Sequence, residues 1–331
     1  MDAGRRISRS YGAPQGAASV RSALRSLRSA GIRAALPSAP LELSARSDQP
    51  PRLEAPLALE GATLAVRRVA GEPVAGFTAF LDGVQRSQVV GYADAMPIVH
   101  ADVAAVVRER VTRRLRTWRA PRVIRRLYAP LSSLDPALAL VLHERCGAVD
   151  PFAGEEPTLV RHPQECTARA LTAVQREREG AELALLEEWL AGPGGPVLVD
   201  GGISGSRAAT TDGRAVGVVK SHRTLYATGE SLPVILGLRE GERTTAVGVT
   251  SPRRFPVATW YLRLRDPGSG SPFFGLVRVE VAREGDLTAR ADEASRWLLA
   301  ERTPVALPDP RWDVMSYGVR DCEQYLSAII R

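Results

Sequence analysis

The sequence predicts a mixed α/β domain of about 270 residues behind a basic N-terminal arm. Three observations lead there. Strand patterns, one long helix, further strands and closing helices follow one another in that order. The helical stretch at 163–191 has Pro163 in its first turn and is stopped by Gly192-Pro193-Gly194-Gly195-Pro196. The 331 residues are 44% apolar and 24% charged, the balance of an ordinary soluble globular protein. No apolar run approaches the ~18–20 residues that span a bilayer, so no membrane helix is expected. Cys146, Cys166 and Cys322 lie far apart with no CxxC pair. That excludes a disulfide scaffold and a zinc knuckle, and it fits a reducing, cytoplasmic setting.

Residues 1–55 form the arm, rich in Arg, Ser, Ala and Pro. Val20, Leu24 and Leu27 recur at helical spacing beside Arg21, Arg25 and Arg28, and Gly31 would stop that short amphipathic helix. The arm reads as a segment that docks on a partner or on DNA. A mitochondrial transit peptide shares its composition, and simple disorder is the plainer reading. The domain proper spans 56–331. Residues 63–68 alternate as a strand. The apolar run 76–81 ends at Asp82-Gly83, where a hairpin turn is expected, with 87–92 as the return strand. Residues 97–108 read as a strand or a short helix. A basic cluster follows from Arg110 to Arg126, interleaved by Trp118 and closed by Tyr128. It suits a nucleic-acid backbone groove or a solvated basic face. Gly180 weakens the long helix by ~1 kcal/mol. Strands are then expected at 197–199, 215–220, 245–250, 256–265 and 273–282. In two of them apolar and polar residues alternate: Ala258, Trp260, Leu262 and Leu264 oppose Thr259, Tyr261, Arg263 and Arg265, and Val277, Val279 and Val281 oppose Arg278 and Glu280. Each predicts one buried and one polar face. Residues 286–302 and 314–330 close the domain as helices.

The net charge of +7 favours a polyanionic partner, with nucleic acid the first candidate. Of the 44 basic residues, one is lysine, Lys220, and the chain has no asparagine. Both amino acids use AT-rich codons, so the composition is that of a GC-rich, bacterial genome. In such a background arginine replaces lysine wherever it serves equally well. It does not serve where a compact ammonium is needed in a tight site, so Lys220 is a functional candidate; a chance survivor is the bland reading.

Two strands end alike, in Phe80-Leu81-Asp82-Gly83 and Leu198-Val199-Asp200-Gly201. A rigid strand aims its terminal carboxylate at the sheet rim, and the glycine lets the chain turn close to whatever is bound there. Two such aspartates can converge on a hard, oxygen-loving cation, Mn²⁺ or Mg²⁺. Either pair taken alone is equally a simple turn. Glu182 shares a helix face with Leu185, Leu186 and Trp189. A carboxylate there needs a partner: Arg178 at i−4, or the same metal. Glu179 is the substitute if the helix phase differs. Lys220 ends the strand after Asp200. Three carboxylates and one ammonium suit phosphodiester hydrolysis, where the ammonium offsets developing negative charge. No Ser–His–Asp or Cys–His arrangement and no phosphate-binding GxxxxGK[ST] loop is present.

These pieces, FLDG, REREGAE, LVDGGISGS, VGVVKS, the strand pair TWYLRLR and GLVRVEVA, and RWDVMSYG with Tyr317, stand in an order that resembles the NurA-type nuclease domain over about residues 60–331. The resemblance implies an RNase H-like mixed sheet with flanking helices and a manganese-dependent (or magnesium-dependent) DNA nuclease. It implies a catalytic set of Asp82, Glu182, Asp200, Lys220 and Tyr317, with the three acids holding the metal. It also implies a homodimer that partners a HerA-type hexameric ATPase in DNA end processing or antiphage defence. The chain departs from the family in one place. Residues 317–331 lack the histidine that follows the tyrosine there, and hold Glu323 and Tyr325 instead. A nuclease-inactive DNA-binding or scaffold subunit is therefore the alternative. Phosphate contacts are expected from Arg113, Arg114 and Arg116 and from the polar strand face with Arg263 and Arg265.

Overall fold

A sheet of twelve strands dominates the computed structural model, which describes residues 50–93, 95–156, 161–252, 254–302 and 312–330. The short helix expected around Val20–Leu27, and the arm up to residue 49, lie outside the described residues. In chain order come β1 (Arg52–Glu54), β2 (Leu57–Ala58), β3 (Val66–Arg68), β4 (Ala79–Ala93), β5 (Met96–Val111), β6 (Arg114–Thr117) and β7 (Arg122–Tyr128). Helices α1 (Pro136–Cys146) and α2 (Pro163–Leu190) follow, then β8 (Val197–Asp200), α3 (Arg207–Thr211), β9 (Ala215–Val219), β10 (Thr224–Tyr226) and α4 (Leu232–Leu236). The chain ends with β11 (Glu242–Thr244), β12 (Val247–Val249), β13 (Val257–Arg263), β14 (Leu276–Val281), α5 (Leu287–Glu301) and α6 (Tyr317–Ile329). The described residues up to Pro267 and from Pro272 onward make one compact unit, and Gly268–Ser271 fall outside it.

The sheet runs β2-β12-β13-β14-β9-β8-β4-β5-β6, with β7 also on β5, and with β11 on β13 carrying β3. β4 is parallel to β8, and β8 to β9. The pairs β4–β5, β5–β7 and β9–β14 are antiparallel. Both faces are covered. Phe80, Leu198, Val216 and Val218 pack with residues of α5 and α6, among them Ala291, Leu298, Val319 and Cys322. Their strand neighbours Ala79, Leu81, Val197 and Val199 pack with Ala181, Leu185, Leu186 and Trp189 of α2. That split is the period-2 alternation of a strand carried through three parallel neighbours. Among the described residues no helix is long and apolar enough to cross a membrane.

Four expectations change. Asp82-Gly83 is not a turn. β4 runs through it, because β5 pairs along the whole length, Asp82 facing Val106 and Gly83 facing Ala105. The hairpin closes instead between Ala93 and Met96, with Ala95 at φ 70°. Strands β13 and β14 are buried at every residue, so neither has a polar outer face. Tyr261 on the second face packs with Leu225, Ile235 and Leu238, Thr259 Oγ1 donates to the Val279 carbonyl at 2.6 Å, and Arg278 pairs with Glu280. The basic cluster spans the end of β5, the turn after it, and strands β6 and β7, both paired to β5. The arm's last residues belong to the domain: Arg52–Glu54 pair in parallel with Thr224–Tyr226.

Candidate metal centre

Register alone brings two carboxylates together. β4 and β8 pair as Phe80 with Leu198 and Leu81 with Val199, so Asp82 and Asp200 are the next residues along parallel neighbours. Residues side by side in a parallel pair point to the same face. Since Phe80 and Leu198 face α5 and α6, Asp82 and Asp200 face them too. Helix α6 lies very close to β4 at this point. A Cβ at Gly318 would collide with the Phe80 ring, and Cys322 Sγ lies 3.5 Å from the Phe80 carbonyl oxygen. The next residue, Glu323, is thereby delivered to the aspartates. One carboxylate oxygen from each of Asp82, Asp200 and Glu323 lies within 4.8 Å of the other two.

Like charges this close need a counter-charge. Asp82 is 3% exposed. Its Oδ1 accepts the Gly83 backbone N–H at 2.8 Å, and its buried Oδ2 has no hydrogen-bond partner. Burial pushes the Asp82 carboxyl well above its usual range, Asp200, Glu182 and Glu323 push the same way, and Lys220 opposes them. A buried carboxylate oxygen without a donor is costly, and a hard divalent cation would satisfy it. Oxygens sharing one ion at bonds of about 2.0–2.6 Å stand at most about 4–5 Å apart, so the three residues fit Mn²⁺ or Mg²⁺ with little movement. Lys220, just past β9, places Nζ 2.8 Å from Asp200 Oδ1.

Glu182, expected as the third ligand, stands outside this group. Helix α2 brings it to the opposite face of the sheet, over Gly83, where a Cβ would collide with Glu182 Oε1. That close approach is the glycine's role in the strand. Arg178 binds Glu182 Oε1, and Gln85 Oε1 accepts from Arg178 Nε at 3.3 Å. Burial pushes the Glu182 carboxyl up to about 7; Arg178 opposes this, and Asp200 and Glu179 add to it. A carboxyl raised in the folded state favours folding below its unfolded value of about 4.3, and that contribution is lost as pH rises through about 7. Metal-free wild type should therefore lose stability between about pH 4.5 and 7 relative to Glu182→Gln, with a limit of about 3 kcal/mol. Melting temperatures of the two proteins at pH 5 and pH 8 test this; parallel pH profiles would contradict it.

On the α2 side of Asp200 opens a cleft of about 800 Å³. Glu182 and Asp200 line it with Arg52, Arg178, Arg254 and Arg278. The predicted phosphate contacts lie elsewhere. Arg113, Arg114 and Arg116 are exposed, on and after a hairpin tip where Thr112 and Arg113 take φ of 47° and 67°. Val106 faces Asp82; the tip lies past the end of β5, six to seven residues further along the chain, roughly 20 Å at ~3.3 Å per residue. Arg263 cannot contact phosphate. It is fully buried and donates to the carbonyls of Leu236, Leu238, Pro272 and Phe274. Arg265 donates to the Arg302 carbonyl and lies over the Trp312 ring, 5.0 Å from its centroid. Tyr317 opens α6 and is half exposed; among the described residues no hydrogen bond ties it to the acids. Sequence reasoning missed Glu323 as a ligand and the cleft arginines Arg52 and Arg254. No family model matches the chain, and no curated protein matches its sequence.

Proposed function

We propose that the chain is a divalent-metal-dependent nuclease that hydrolyses DNA phosphodiester bonds, with Asp82, Asp200 and Glu323 holding Mn²⁺ or Mg²⁺. The observation that carries this is the buried, unpartnered Asp82 Oδ2 beside two further carboxylates. A cation bound there supplies Lewis-acid activation of water and of the phosphate. The chain's own residues position it: two rigid strands and a closely packed helix fix the acids before substrate arrives. The Lys220 ammonium offsets negative charge on the phosphate, and the cleft arginines orient the strand. The order β9-β8-β4-β5-β7, parallel on one side of β4 and antiparallel on the other, supports an RNase H-like reading. In that reading the last helix contributes an acid, and Glu323 takes the place left by the absent histidine.

Cleavage of a labelled oligonucleotide with Mn²⁺, Mg²⁺ or EDTA is the test. Wild type is expected to cut only with metal, and Asp200→Ala to be inactive and folded, since a rim acid adds little to core packing. Wild-type rates in Asp200→Ala would refute the assignment. A folded wild type that binds DNA and never cuts would favour the scaffold alternative. The wider proposal, a cytoplasmic homodimer working with a HerA-type hexameric ATPase in end processing or antiphage defence, rests on the ordered motifs and is tested by co-purification.

A further inference from the structure

We propose that the Lys220 ammonium occupies the place of a second divalent cation, so that the centre takes one metal ion per chain. The proposal rests on the metal-centre reading above. In two-metal phosphodiester sites a shared carboxylate holds two ions about 3.5–4 Å apart. Asp200 has the position of such a bridge. On one side stand Asp82 and Glu323, with an oxygen from each of the three residues within 4.8 Å of the others. On the other side Lys220 Nζ is 2.8 Å from Oδ1, both side chains being less than one-fifth exposed.

The surroundings of that second side suit an ammonium and not Mn²⁺. A small pocket there is lined by Leu198, Val218, Leu264, Leu298 and Val319, and its only side-chain oxygens among the described residues are those of Asp200 and Ser316. Besides Asp200, Lys220 Nζ meets the sulfur of Met315, 3.9 Å away. A thioether is a poor ligand for a hard cation, which would want several oxygens. Arg302 also lines the pocket, its guanidinium held by Glu240 and by the Leu264 carbonyl. A compact single charge on a flexible stem fits such a slot, whereas a planar guanidinium with five donors does not. This gives a structural reason why, among 44 basic residues, the single lysine falls here.

The test is Mn²⁺ titration of the metal-free full chain by calorimetry, with electron paramagnetic resonance to count coupled ions. Wild type is expected to bind one ion per chain with an uncoupled manganese spectrum. Lys220→Met keeps length and removes charge, so the ion should bind at least about tenfold tighter, or a second ion should enter. Lys220→Arg, if Lys220→Met fails to fold, should keep one ion and lose about 10²–10³ in cleavage rate. Two coupled ions in wild type would overturn the proposal while leaving the metal centre standing. So would Mn²⁺ affinity in Lys220→Met equal to or weaker than wild type, which would make the lysine a prop for Asp200. No bound ion at all would overturn the metal centre and this proposal together.

Discussion

Asp82→Asn should give a protein that folds, melts higher than wild type without metal, and neither binds Mn²⁺ nor cuts DNA. Its cleavage rate is expected to fall by at least about 10³, since the site would lose its most buried ligand. The gain in stability follows from sign. The folded-state carboxyl lies well above its ordinary value, first through burial and then through Asp200 and Glu182. Its contribution to stability is therefore complete below the unfolded value of about 3.9 and is lost as pH rises through the folded one. Asparagine carries no such penalty, so the advantage of the variant should widen with pH. One kcal/mol is worth about 2–4 °C in a domain of 150–250 residues, and a rise of at least about 2 °C at neutral pH is expected. Saturating Mn²⁺ at about 100 times its dissociation constant should add about 2.7 kcal/mol to wild type and nothing to the variant. A variant that melts lower than wild type without metal, or keeps its Mn²⁺ response, would contradict the assignment.

Arg263→Ala should destabilise the fold by about 3–5 kcal/mol, roughly 10 °C in melting temperature, and leave DNA affinity per folded molecule unchanged. The guanidinium is fully buried. Its Nε donates to Leu238 at 2.9 Å and its Nη2 to Leu236 at 2.9 Å. Its Nη1 donates to Pro272 at 2.8 Å and Phe274 at 2.6 Å. It thus ties the α4 segment to the chain entering β14, and truncation leaves those carbonyls without a donor. Lysine should not rescue it, having three donors at one point and no planar fork. Thermal melts beside salt-dependent DNA binding separate the two roles. An unchanged melting temperature with a shallower salt slope would mean that Arg263 meets phosphate after all.

Asp200 is legible because the last residue of a short apolar strand can be read locally; Asp82 lies inside β4, and parallel register with β8 is what places it beside Asp200. The turn at Asp82-Gly83 was misread for a physical reason. The same dipeptide serves a turn or a close approach, and only the packing of α2, which sets Glu182 over Gly83, decides between them. Glu323 carries no local mark. It lies beside the buried face of Gly318, Val319, Cys322 and Leu326, and the glycine that lets α6 touch Phe80 was the available signal. Arg263 was read as surface because arginine on alternate positions normally means solvent. Its carbonyl acceptors lie 9 to 27 residues away in sequence, beyond the reach of periodicity. Lys220 stands out as a candidate by composition, which needs no fold.

The most direct test is a crystal of the metal-free protein soaked in Mn²⁺ and measured for anomalous scattering at the manganese edge. One peak is expected per chain, bounded by carboxylate oxygens of Asp82, Asp200 and Glu323 at about 2.0–2.6 Å, with Lys220 still on Asp200. A soaked crystal with no peak between these carboxylates, or with manganese held only elsewhere on the chain, would contradict the metal centre and the nuclease built on it.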